Sequence, residues 1–151
     1  MDYQNIIETV TNVFTGTDQR NWQLVKETFA DKVLLDYSSM SNQPANMLSP
    51  DDIVAAWKGL MPGFQHTHHQ LGNFNVIQKD DEAHVFCYGT ATHYLPNNSG
   101  NNLWTVVGTY DFDCKKINGQ WKVHHMVFHF KYQDGNSELL ALAIEKAKAK
   151  N

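Results

Sequence analysis

Thr67–Asn73 reads THHQLGN, and further along His93 lies in the run TATHY at Thr90–Tyr94. An imidazole has an ordinary pKa of about 6.5, so it both takes and gives a proton at neutral pH. Neighbouring residues on a strand point to opposite faces. His68 and His69 therefore serve different sides, and only one of them can meet an interior ligand. His66 and His68 share a side in an H-x-H pattern, which is also a metal-ligand spacing. No cysteine lies near them and carboxylates are sparse there, so acid–base chemistry is the stronger expectation. Taking a proton from carbon beside a carbonyl requires a base, and a donor for the enolate oxygen that results.

Such groups need a scaffold, and the composition bounds it. With 151 residues, 42% hydrophobic and 12% aromatic, the chain is globular in composition and is expected to form one domain over 1–151. The formal charge of −4 includes no basic run except Lys146, Lys148 and Lys150, which argues against a nucleic-acid partner. No apolar run approaches the roughly 20 residues of a membrane span. The start, MDYQNIIETV, has an acid where an export signal requires positive charge. Cys87 and Cys114 form neither a close metal spacing nor a disulfide framework, so free thiols and a cytoplasmic location are expected.

Ile6, Ile7, Val10, Val13 and Phe14, then Trp22, Val25 and Phe29, step by threes and fours, predicting two helices with a corner at Gly16–Asn21. KVLLDY (Lys32–Tyr37) reads as a strand and SSMSNQPANM as a polar loop. Ser49-Pro50-Asp51-Asp52 is a helix start: serine caps, proline suits the first helical position, and acids complement the helix dipole. From Thr67 long strands follow, separated by KDDE, LPNNSGNN and NGQ, of which Asn118-Gly119 is a tight-turn signal. NSELLALAIEKAKAK is a last amphipathic helix. Helices followed by long antiparallel strands predict an α+β fold, a curved sheet wrapped as a cone around the N-terminal helices.

Parity says what faces the inside of that cone. On Ala83–Leu95 the odd residues Ala83, Val85, Cys87, Gly89, Ala91, His93 and Leu95 are small or apolar except His93. On the next strand Trp104, Val106, Gly108, Tyr110, Phe112 and Cys114 form the apolar face, with Asp111 and Asp113 on the other. His93 and Tyr110 are therefore predicted to point inward. The faces of Trp121–Tyr132 are mixed and give no assignment.

The order of elements, with Asp18 four residues before Trp22, Asp36-Tyr37, THHQLGN, TATHY and KKINGQWKV (Lys115–Val123), resembles the nuclear transport factor 2-like superfamily. The resemblance extends to its SnoaL-like and scytalone dehydratase-like branch. It implies a pocket holding an aspartate, a tyrosine and two histidines, which match Asp18, Tyr37, His69 and His93. His69 then faces the cavity and His68 does not. The implied roles are His69 as general base, His93 as acid to a leaving hydroxyl with Asp18 orienting it, and Tyr37, with Tyr110, polarising a carbonyl. Tyr110, Thr17, Asn73 and Trp104 are the expected substrate contacts. Thr17 stands where the family has a second pocket tyrosine, and Tyr110 where it has an asparagine, so scytalone itself is not the expected substrate.

The implied activity is a lyase or isomerase acting on a small hydrophobic cyclic carbonyl compound, with no metal or organic cofactor. Two other readings stay open: a non-catalytic small-molecule-binding domain of the same fold, and a structural partner like an oxygenase small subunit. Asp18 could also simply cap the second helix. The aromatic even face of Ala83–Leu95, with Phe86, Tyr88 and Tyr94, is expected to associate with further copies, and the resemblance implies a homodimer or homotrimer.

Overall fold

The computed structural model describes residues 1–150. The N-terminal apolar steps form α1 (Tyr3–Asp18), which buries Ile6, Val10, Val13 and Phe14. The corner comes later than the composition suggests. Gly16 and Thr17 are still helical, and the chain reverses at Arg20, whose φ of 58° is left-handed. Helix α2 (Trp22–Thr28) is capped by Asn21, whose side chain accepts the Leu24 N–H, so Asp18 is free of that duty.

Helix α2 passes directly into β1 (Phe29–Asp36), which begins three residues before the predicted strand because Phe29 is already extended and pairs with Val123. The predicted polar loop contains two short elements. The Asp36 carboxylate accepts the Ser38 N–H and starts α3 (Ser38–Ser41), and β2 (Asn46–Leu48) pairs with β1. Helix α4 (Pro50–Lys58) starts as expected, with Ser49 Oγ accepting the Asp52 N–H. A 3-10 turn, Met61–Gly63, leads into β3 (His66–Lys79), followed by β4 (Glu82–Tyr94), β5 (Leu103–Ile117), β6 (Gln120–Gly135) and α5 (Leu139–Lys150).

The sheet order is β2-β1-β6-β5-β4-β3, with β1 and β6 parallel and all other pairs antiparallel. Asn118 and Gly119 both adopt positive φ, 52° and 80°, as a two-residue hairpin turn requires. Register shifts between Gly72 and Asn75 and at two points of the β5–β6 ladder bend the sheet into an open cone. Helices α1, α2 and α4 pack on its inner side. This is the mixed α+β cone predicted from the order of elements. Each fully buried side chain such as Ile6, Ile53, Val85 or Phe112 contributes about 1.5–3 kcal/mol by leaving water.

All seven odd residues of Ala83–Leu95 except Gly89 appear among the buried side chains, and Gly89 is buried too. The inward set of β5 is likewise buried. On the outer face His84 uses both ring nitrogens, bonding Asp113 and Asp111 at 2.7 Å each. Carboxylates only accept, so this ring is an imidazolium; burial opposes its charge, but the two aspartates outweigh it and raise its pKa. His125 and His129 extend the ladder to Asp113 and Asp111 at 3.0 and 2.8 Å. Among the described residues no helix is long and apolar enough to cross a membrane.

Candidate active site

Asp18 and Phe14 lie one turn apart on α1 and so share a face. That face meets β3 at His69. The Phe14 ring stacks on the His69 imidazole, with centroids 4.8 Å apart and planes 14° apart, and Asp18 Oδ1 lies 2.8 Å from His69 Nδ1. Asp18 Oδ2 accepts the backbone N–H of the same residue at 2.7 Å. The carboxyl is partly buried, which by itself raises its pKa. The bonds from the His69 ring and backbone and from the Thr67 hydroxyl more than offset this and hold it below the ordinary range. An ionised Asp18 fixes the hydrogen of His69 on Nδ1. The other ring nitrogen is left bare on the cavity side.

The expected partner of Asp18 was His93; the structure gives it His69 instead. His93 Nδ1 lies 2.9 Å from the carbonyl oxygen of Trp104, its cross-strand neighbour, and its ring stacks on that indole at 4.5 Å. A carbonyl only accepts, so His93 carries its hydrogen on Nδ1. Burial pushes its pKa down to about 4, with the Trp104 carbonyl offsetting only part of the effect. At neutral pH His93 therefore has no proton to give to a leaving group. It presents an acceptor, not the acid that the resemblance implies.

The two imidazoles stand edge to face, 6.0 Å between centroids, in a cavity of about 180 Å³. Tyr37 and Tyr110 line it as well. Burial raises both phenols far above their ordinary pKa, so they remain proton donors. The Tyr110 ring occupies space that a Cβ on Gly89 would fill, which explains the glycine in the middle of β4. Trp57, Leu60, Met61, Val106 and Phe128 make the remaining wall mostly apolar. Wider surface grooves, such as one of about 430 Å³ beside Glu27 and Trp121, contain none of these groups.

Of the other expected contacts, Trp104 lines the cavity and Tyr110 does so from β5. Thr17 does not: it is buried against its own helix, its hydroxyl donating to the Val13 carbonyl at 2.7 Å. Asn73 does not either, because it sits at φ 54° in the β3 bulge with its side chain exposed. His66 and His68 are exposed on the far face of β3, as parity required for His68. Phe14, Thr67 and Arg20 escaped the sequence reading. Phe14 and Thr67 had legible signals, i, i+4 spacing from Asp18 and i, i+2 spacing from His69.

An open α+β cone of this kind is the architecture of the nuclear transport factor 2-like superfamily. Within it, the chain belongs to the SnoaL-like domain family, whose sequence pattern matches residues 1–127. No curated protein sequence matches it. Among solved structures, the Kfla4162 protein from Kribbella flavida is 25% identical with a TM-score of 0.85, covering 94% of this chain and 96% of that one. A scytalone dehydratase candidate from Novosphingobium aromaticivorans is 17% identical with a TM-score of 0.77, covering 89% and 87%. A hexachlorocyclohexane dehydrochlorinase, LinA-type3, from Novosphingobium barchaimii is 12% identical with a TM-score of 0.74, covering 90% of each chain.

Proposed function

We propose that this protein is a cofactor-independent lyase or isomerase that acts on a small cyclic carbonyl compound through a single base, His69. The observation that carries the reading is the Asp18–His69 pair at 2.8 Å, with the bare ring nitrogen in the same cavity as the Tyr37–Tyr110 phenols. His69 Nε2 takes the proton from carbon beside the carbonyl, and the C–H electron pair moves to the oxygen. A phenol donates to that oxygen, and Asp18 stabilises the imidazolium. The enolate then re-forms the carbonyl. In an elimination it expels the β-hydroxyl, which takes the proton back from His69 as water leaves. In an isomerisation the same proton returns to the far carbon of the double bond. One imidazole is acid and base in turn, which suits a site whose second histidine stays neutral.

An apolar cavity of about 150 Å³ accepts benzene. A cavity of about 180 Å³ thus suits one six-membered ring with small substituents. Structural neighbours named as a dehydratase candidate and a dehydrochlorinase are named for eliminations, which supports the reaction class. The test is a panel of six-membered β-hydroxy ketones and β,γ-enones, followed by the ultraviolet absorbance of the conjugated enone. Turnover of at least one, unchanged by EDTA, is the expected result. Saturable binding of the panel without turnover would replace the enzyme by a carrier.

We further propose that the outer sheet face joins copies of the chain. Tyr88 and Ile77 are 48% and 63% exposed there, and Lys131 lies over the Tyr88 ring. Sedimentation at micromolar concentration should show a dimer or trimer, and a Tyr88→Glu variant should shift it to monomer. A wild-type protein that is monomeric throughout would refute this.

A further inference from the structure

Asp18 is held by more than its histidine. Thr67, buried two residues before His69 on the same face of β3, bonds Asp18 Oδ1 through its hydroxyl at 2.8 Å. The same hydroxyl oxygen lies 2.8 Å from Arg20 Nη1. A guanidinium has donors only, so the direction of the relay is fixed: Arg20 donates to Thr67, and Thr67 must donate to Asp18. Arg20 Nη1 also reaches the Thr17 carbonyl at 2.9 Å, and Nη2 reaches the Met61 carbonyl at 2.7 Å. The left-handed backbone of Arg20 reverses the chain just past α1, and its side chain reaches back over the helix end. One guanidinium thereby ties together the end of the helix that carries Asp18, the strand that carries His69, and Met61, which lines the cavity.

We infer that Arg20 and Thr67 are positioning residues of the Asp18–His69 pair, their relay locking the carboxylate in the orientation that keeps the His69 hydrogen on Nδ1 and Nε2 bare toward the cavity. Without the Thr67 hydroxyl, Asp18 is held only by His69 itself, by the ring on Oδ1 and by the backbone N–H on Oδ2, and the tilt of the carboxylate against the imidazole is less firmly fixed. A purely structural brace would act differently. Two of the three bonds of Arg20 go to backbone carbonyls, and losing them would lower stability without changing which ring nitrogen of His69 carries hydrogen. The inference extends the proposed role of His69 as base, but its main readout does not need a substrate.

That readout is nitrogen-15 NMR of the imidazoles at pH values where His69 is neutral, on full-length wild type, Thr67→Val, Thr67→Ser and Arg20→Lys. Wild type should show the Nδ1–H tautomer of His69 alone. Thr67→Val, nearly isosteric but without the hydroxyl, should show a second population with hydrogen on Nε2, and Thr67→Ser should restore the single tautomer. Arg20→Lys keeps the charge but cannot span three acceptors, and should again mix the tautomers. With a substrate from the panel, Thr67→Val should lower kcat by about ten- to a hundredfold, the weight that partners orienting metal-bound imidazoles carry, with KM little changed. A folded Thr67→Val that keeps one tautomer and full kcat would overturn the inference. If Thr67→Val does not fold, an unmixed tautomer in Arg20→Lys overturns it by the same measurement. Failure of the proposed function looks different: turnover would survive loss of the His69 imidazole, while the tautomer response stood.

Discussion

Replacing His69 by asparagine should lower kcat on a responding β-hydroxy ketone or enone by about two to four orders of magnitude, the usual weight of one proton-transfer group. The fold should survive, since His69 borders a cavity and its ring is backed by Phe14. Asp18→Asn should cost a comparable amount, although it touches no substrate. An amide in that position turns an N–H toward His69 Nδ1 and forces the hydrogen onto the other ring nitrogen, where the base is needed. The effect of His93→Asn should be smaller and different in kind. His93 is backed by the Trp104 carbonyl and is uncharged at neutral pH, so its loss removes an acceptor for a substrate hydroxyl. That raises KM more than it lowers kcat. Steady-state kinetics of the three variants test the assignment. If His93→Asn costs as much in kcat as His69→Asn, the single-base scheme fails and the acid role returns to His93.

Much of this site was legible as faces and little of it as partnerships. The alternation on β4 and β5 places His93 and Tyr110 inside, because a strand's side-chain period is two and the inward residues around them are small or apolar. His69 and Tyr37 came from the resemblance, not from parity. The partner of Asp18 could not be read, because parity fixes a face but not the height at which a helix crosses it. His69 and His93 lie on adjacent strands, and the packing of α1 on β3 decides between them. Thr17 was misplaced for a related reason: one residue from Asp18 on a helix is about 100° of rotation, enough to turn its hydroxyl back to Val13. Asn73 was misplaced by a bulge whose signal, Gly72 followed by an asparagine that tolerates left-handed backbone, the strand reading passed over. Arg20 was invisible because a left-handed arginine carries no sequence signal of the kind glycine or asparagine gives.

Acid should weaken the fold through His93 before it reaches most of the carboxylates. Burial brings the folded-state pKa of His93 to about 4, while the unfolded chain returns it to the ordinary imidazole value of 6.5. Between those values the unfolded state binds more protons than the folded one, so stability rises with pH across the window and levels off above it. A shift from 6.5 to about 4 corresponds to about 3 kcal/mol lost in full only below the lower value. His124, also lowered chiefly by burial, acts in the same direction. His84 acts in the opposite one: its raised pKa gives stability that is present in acid and fades as pH rises through it, but its half-exposed ring makes that contribution small. Asp18 and Asp113, both held low, lose their contributions only below the ordinary carboxylate range. Urea midpoints at pH 7.5 and pH 4.5 should therefore fall steeply for wild type. His93→Gln, which keeps a polar group beside Trp104 but cannot titrate, should lose about 2–3 kcal/mol less over the same interval. An equally steep loss in His93→Gln would mean that His93 is not the neutral acceptor inferred from its bond to the Trp104 carbonyl.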